Sequence, residues 1–137
     1  MACRTILSLC IQLGLQVSDL GLLCLFCKRE LTVTDKIAFD LKKLNLVLRA
    51  DGIYGCCRTC CKATAEFENA KYLQMVVEAD GVESFTGRGI LEVYMRCWEC
   101  MKELEAVEKC MQIIREEPFR LVRGGWKGLC AICYLQK

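Results

Sequence analysis

Two pairs of C-x-x-C, themselves repeated, leave this chain few ways to fold. Cys24-x-x-Cys27 and Cys57-x-x-Cys60 have 29 residues between them, as do Cys97-x-x-Cys100 and Cys130-x-x-Cys133. Cys24 to Cys97 is an offset of 73, and so is Cys57 to Cys130. A closed tetrahedral zinc site needs four soft ligands. A C-x-x-C turn points two sulfurs at one ion, and the intervening residues bring the second pair round from the other side. Two such sites are therefore expected, each holding one Zn2+, with Cys24, Cys27, Cys57 and Cys60 on one ion and Cys97, Cys100, Cys130 and Cys133 on the other. Disulfides fit poorly, because they need an oxidising compartment and the 13 cysteines are an odd number with no clear secretory signal. A redox C-x-x-C would stand once, beside a βαβ pattern.

The repeat divides 137 residues into two halves, each too small to rest on its apolar core alone. Structural zinc supplies about 10–16 kcal/mol in finger peptides, as much as the whole stability of an ordinary domain, about 5–15 kcal/mol. The expected class is α+β: two duplicated small zinc-binding domains, helices plus a small antiparallel sheet in each, joined by a linker helix. The expected boundaries are an N-terminal helical arm over 1–22, a first zinc domain over 23–66, a linker helix and joint over 67–95, and a second zinc domain over 96–137.

The chain has no histidine. That removes the commonest general base, the histidine-based triads and every histidine-containing zinc site. Four-cysteine zinc is also coordinatively closed, so a non-enzymatic protein is expected. The formal charge of +2 falls to about −2 once eight thiolates and two zinc ions are counted, which weakens bulk charge as an argument for nucleic acid.

Along the chain, Ile6, Leu9, Cys10, Leu13 and Val17 recur at helical spacing. With Arg4 alone at the start, Gln12 and Gln16 breaking the apolar run and no cleavage site, residues 1–23 read as an amphipathic helix rather than a signal peptide. Ala2 excludes myristoylation, and no apolar run approaches a membrane span, so no membrane insertion is expected. Thr32 and Asp35 form a capping box for a helix with Ile37, Ala38, Leu41 and Leu44 on one side. NLVLR-AD-GIYG reads as a hairpin turning at Asp51-Gly52. Residues 58–79 read as one long helix with Phe67, Ala70, Leu73 and Val77 on a face, ended by Asp80-Gly81, with VESFTGRG as the joint. The second half repeats the order: a helix over 105–116 stopped by Pro118, then the hairpin FRLVR-GG-WKG. At the 73-residue offset Glu30 meets Glu103, Leu31 meets Leu104, Leu48 meets Leu121, Gly52 meets Gly125 and Gly55 meets Gly128. Cys3, Cys10, Cys56, Cys61 and Cys110 are expected to be free thiols that mostly pack as small hydrophobes.

The doubled cysteine pattern, with 36 residues between its halves, Arg96 directly before Cys97 and Arg123-Gly-x-Trp126-x-Gly128 before Cys130, resembles the papillomavirus early protein six family. Arg49-Ala-Asp51-Gly52-Ile-Tyr54 and Phe39 add to the likeness. The resemblance covers roughly residues 10–135. It implies two zinc domains and a linker helix forming a groove that captures an acidic LxxLL helix of a host protein. That host protein would be a HECT-type ubiquitin ligase, a Notch coactivator or paxillin. Redirecting it would alter host transcription, apoptosis and degradation pathways and promote cell transformation. By matching positions the trough would include Leu25, Phe26, Leu44, Val47 and Cys61, with Arg49 and Arg96 taking the peptide's acidic groups. Helix-in-groove recognition needs such an apolar trough. The resemblance also implies a weak homodimer and a place in the host cytoplasm and host nucleus. Gly125 stands where the family often has Arg, Cys56 and Cys61 lie outside its ligand pattern, and Tyr134-Leu-Gln-Lys137 lacks the S/T-x-V ending that PDZ domains capture.

The second reading is a zinc-dependent nucleic-acid-binding transcriptional regulator, resting on Lys42, Lys43, Arg115, Arg120, Arg123 and Lys127. A RING-type ligase fits less well, since RING ligands are more tightly spaced.

Overall fold

The computed structural model describes residues 5–136; the Cys3 thiol lies outside them. The chain divides into two compact units, Met1–Cys61 and Lys62–Lys137.

In the first unit α1 spans Ile6–Leu13. Thr5 caps it, its hydroxyl accepting from the Ser8 N–H at 3.0 Å. Asp40 accepts the Ile6 and Leu7 N–H groups at 2.8 and 3.0 Å, satisfying donors a helix start leaves orphaned. Ile6, Leu9 and Cys10 are buried, but Gly14, in left-handed geometry, ends the helix. Leu13 is therefore exposed and Val17 begins a short 3-10 turn, so the expected stripe stops after Cys10. The remaining elements are β1 (Leu23–Cys24), α2 (Val33–Leu41), β2 (Val47–Arg49) and β3 (Gly52–Gly55). The sheet runs β1-β3-β2. β2 and β3 form the expected antiparallel hairpin, and β1 adds a parallel edge, Leu23 beside Tyr54 and Cys24 beside Gly55.

The capping box of α2 is complete, with both reciprocal Thr32–Asp35 bonds present. Its inward face is not the expected one. Asp35, Lys36 and Phe39 are buried, whereas Ile37 and Leu41 are exposed. The polar side chains turn inward because backbone groups wait there for them. Lys36 Nζ donates to the Val17 and Leu20 carbonyls at 2.8 and 2.5 Å, and Asp35 accepts the Arg58 N–H at 3.2 Å.

α3 spans Arg58–Tyr72, and the boundary between the units falls in its first turns. The single helix expected over 58–79 is corrected: β4 (Leu73–Val77) and α4 (Ala79–Thr86) follow Tyr72. Strand pairing prevails because β4 finds an antiparallel partner in β6 (Phe119–Val122), Leu73 beside Val122 and Val77 beside Phe119. Asp80-Gly81 falls in the first turn of α4 instead of ending a helix, and Gly87 is the residue that stops it. β5 (Arg96–Cys97), α5 (Ala106–Ile114), β7 (Gly125–Gly128) and α6 (Ala131–Leu135) complete the unit, with sheet order β4-β6-β7-β5 and β5 parallel to β7.

Both hairpin turns sit one residue earlier than expected. Arg49 pairs with Gly52 and Val122 with Gly125, leaving Ala50-Asp51 and Arg123-Gly124 as two-residue loops. Arg123 and Gly124 have φ of 49° and 77°, the pair of positive values that suits strand twist in such a loop.

Around the first knuckle the two units repeat the same backbone bonds. Leu31 N–H donates to the Leu22 carbonyl and Leu104 N–H to Met95. Cys24 N–H donates to Arg29 and Cys97 N–H to Lys102.

Candidate metal centres

Each half builds its cluster from two knuckles. The first is the turn after an edge strand (β1 or β5). The second opens a helix (α3 or α6). At these helix starts sulfur stands in for a capping oxygen: Cys57 Sγ accepts the Cys60 N–H and Cys130 Sγ accepts the Cys133 N–H, both at 3.4 Å. Across the knuckles, Cys57 N–H reaches Cys24 Sγ at 3.5 Å and Cys130 N–H reaches Cys97 Sγ at 3.4 Å.

The donor sets meet as expected. The sulfurs of Cys24, Cys27, Cys57 and Cys60 all lie within 4.8 Å of one another, and so do those of Cys97, Cys100, Cys130 and Cys133. Cys27 to Cys57 is 3.8 Å and Cys100 to Cys130 is 3.7 Å. Four sulfurs at the Zn–S distance of about 2.3 Å in a tetrahedron stand about 3.8 Å apart. None of the described cysteines is in a disulfide. The geometry and the all-thiol donor set fit one zinc ion in each cluster.

The electrostatics suit a metal that must displace protons. Burial pushes the Cys24 thiol up, but N–H groups of Cys27, Cys57 and Phe26 donate to its sulfur and bring it down to about 6. Cys97 is held far below the usual thiol range by hydrogen bonds from Cys100, Cys130 and Cys133, and Cys130 is lowered chiefly by Cys100. In return Cys100 is raised by its bond with Cys130, and Cys133 by its bond with Cys100. Cys57 and Cys60 are raised, with burial the largest cause. Each cluster thus carries ready thiolates beside thiols that give up their protons to the incoming cation.

Asp35 and Glu108 support the second knuckles. Asp35 accepts the Arg58 N–H and pairs with the Arg58 side chain at 2.8 Å. At the matching position Glu108 accepts the Ala131 N–H at 2.8 Å and pairs with Lys102 at 2.5 Å. Sequence reasoning found Asp35 as a helix cap but missed this longer reach. The signal was present in the acid–lysine dipeptides Asp35-Lys36 and Glu108-Lys109, which share the 73-residue offset.

The Early Protein (E6) family model matches residues 24–133. The chain belongs to the E6 family. Protein E6 of human papillomavirus 25 is 40% identical over 129 residues, spanning 94% of this chain and 80% of its own length. Protein E6 of human papillomavirus type 8 is also 40% identical over 129 residues, spanning 94% of this chain and 83% of its own. For human papillomavirus 24 the figures are 38% over 130 residues, 95% and 93%. Among solved structures, the C-terminal zinc-binding domain of HPV51 oncoprotein E6 matches with 26% identity and a TM-score of 0.43, over 45% of this chain and 82% of its own. The family model and the relatives bear out the resemblance read from the cysteine spacing, and this E6 family member's own structure shows the duplicated α+β architecture and the two four-cysteine clusters that fit zinc.

The other expected site residues fall as follows. Phe26, between two ligands, is 59% exposed; Leu25, Leu44 and Val47 are half-buried, Arg49 is exposed and Cys61 is buried. All six lie in the first unit, and Arg96 lies in the second. Arg96 pairs through β5 with Lys127, and its Nη1 donates to the Met101 carbonyl at 2.8 Å. Several cations of the nucleic-acid reading are engaged within the second unit. The guanidinium groups of Arg115, Arg120 and Arg123 lie 3.8, 4.1 and 4.8 Å from the ring centres of Tyr134, Trp98 and Tyr72. Among the described residues no helix is long and apolar enough to cross a membrane.

Proposed function

We propose that this E6 protein is a non-enzymatic adaptor that binds the acidic LxxLL helix of a host protein and redirects that protein, in the host cytoplasm and nucleus. Leu25, Phe26, Leu44, Val47 and Cys61 receive the leucines, and Arg49 and Arg96 take the acidic groups. The partner is of the HECT-type ubiquitin ligase, Notch coactivator or paxillin kind, and its redirection alters host transcription, apoptosis and degradation and promotes transformation.

One observation carries this reading. Arg96 stands beside the ligand Cys97, its backbone held in β5 and one arm of its fork tied to the Met101 carbonyl. An arginine so held loses little freedom on gripping a carboxylate. Burying three leucines contributes about 1.5–3 kcal/mol each before ordering costs, enough for micromolar binding near about −8 kcal/mol, but any leucine-rich helix could satisfy that. Charge must supply the selectivity.

Peptide titration tests this. Arg96→Ala is expected to weaken an acidic LxxLL peptide by about 1.5–3 kcal/mol with zinc content unchanged, and Arg96→Lys to restore part of the loss. Equal affinity for parent and Arg96→Ala, or for a peptide with its leucines changed to alanine, overturns the reading.

A further inference from the structure

Two cysteines that neither cluster uses stand with their sulfurs together. Cys56 and Cys61 flank Cys57 and Cys60, and their sulfurs are 3.2 Å apart, the Cys61 thiol donating to Cys56. The nearest comparison in the adjoining cluster, Cys27 to Cys57, is 3.8 Å. Cys56 is half-buried and Cys61 is 3% exposed. Cys61 is set by the first turn of α3, where its N–H donates to the Cys57 carbonyl at 3.0 Å. The Cys56 thiol also reaches that carbonyl, at 3.5 Å. The two sulfurs are thus placed by the same backbone group and face each other.

We infer that Cys56 and Cys61 form an oxidisable dithiol that closes to a disulfide under hydroperoxide ahead of the zinc-bound cysteines. Closing requires the sulfurs to approach by about 1 Å, to the S–S distance of about 2.05 Å. Cys56, the more exposed, meets the peroxide first. Its sulfur bonds to one peroxide oxygen, the O–O bond breaks and one water leaves, giving a sulfenic acid. The Cys61 sulfur then bonds to the Cys56 sulfur, the S–O bond breaks, and the hydroxyl leaves as a second water with the Cys61 proton. The two thiols lose two electrons to the peroxide, and a dithiol reductant reverses the change. Both sulfurs lie outside the ligand set, so the couple takes up an oxidising equivalent while all four zinc bonds of the first cluster remain.

The test treats the full-length, zinc-loaded protein with one molar equivalent of hydrogen peroxide. The expected product has lost the mass of two hydrogen atoms, retains both zinc ions, and yields on non-reducing peptide mapping a link between Cys56 and Cys61. Dithiothreitol restores the parent mass. Cys56→Ser, zinc-loaded, should show no such loss at the same dose, while Cys110→Ser, which removes an exposed cysteine outside both clusters, should behave as the parent does. Zinc release in step with the first thiol lost, or links to Cys57 or Cys60, overturns the inference. Both readouts are taken on the unmutated chain, so they decide the question even if Cys56→Ser folds poorly.

Discussion

Lys36 and Lys109 stand 73 residues apart and do the same work: each buries its ammonium against two backbone carbonyls. Lys36 holds Val17 and Leu20, and Lys109 holds Leu91 and Val93 at 3.4 and 2.5 Å. Only 3% and 5% of the two residues is exposed. In each unit the lysine ties its own helix, α2 or α5, to the segment leading into the first knuckle. Lys36→Met or Lys109→Met keeps the chain length and apolar stem but leaves two carbonyls without their donor. Each should cost about 1–3 kcal/mol, read as a lower denaturation midpoint at full zinc load. A midpoint equal to the parent's would show that water satisfies the carbonyls.

Metal analysis should find two zinc ions per chain, one for each cluster. Cys57→Ser and Cys130→Ser should each reduce the content to one, whereas Cys110→Ser should leave two. Chelation should free the ligating thiols of both halves to react with a thiol reagent, with uptake of protons by the released sulfurs, and abolish cooperative unfolding, because each half leans on its metal. One zinc in the parent, or full content after Cys130→Ser, would refute the ligand assignment.

Gly55 and Gly128 differ in what an added methyl would meet. At Gly128 a Cβ would stand 2.5 Å from Leu104 Cδ1 and 2.8 Å from Gln112 Oε1, while at Gly55 the nearest atom is Leu31 Cδ1 at 2.8 Å. Overpacking of this kind costs about 1–3 kcal/mol. Gly128→Ala should lie at the upper end and Gly55→Ala lower, since Gln112 is held at both ends, by Pro118 and Leu129. Chemical denaturation of the two variants gives the order directly.

Glu108 gives one strand of the acid sensitivity. Burial pushes its carboxyl up, but Lys102 and the N–H groups of Glu105 and Ala131 outweigh that, and the folded value lies below the usual one. A depressed folded value means the contribution is fully present above the unfolded pKa of about 4.3 and is lost as pH falls through the folded value. Parent and Glu108→Gln should therefore differ most at neutral pH, by about 1–3 kcal/mol, and converge on acidification. Paired denaturation curves at matched zinc load from neutral pH to below 4 check this; a constant gap would exclude the carboxylate as its source.

The sequence alone determined the ligands, because C-x-x-C turns and their 29-residue intervals are local geometry repeated without change. It determined the duplication, the capping box at Thr32 and Asp35, the hairpins to within one residue, and the family. Tertiary structure decided the rest. Leu73–Val77 became a strand because β6 offers it a row of hydrogen-bond partners, which no local propensity reports. α2 turned Asp35 and Lys36 inward and left Ile37 and Leu41 outside. Apolar periodicity assumes that carbon is what gets buried, whereas orphaned N–H and C=O groups near a metal knuckle demanded the charged side chains instead. The facing of Cys56 and Cys61 belongs to the same class: their spacing is plain in the sequence, but only the fold of the knuckle onto α3 brings the two sulfurs within 3.2 Å.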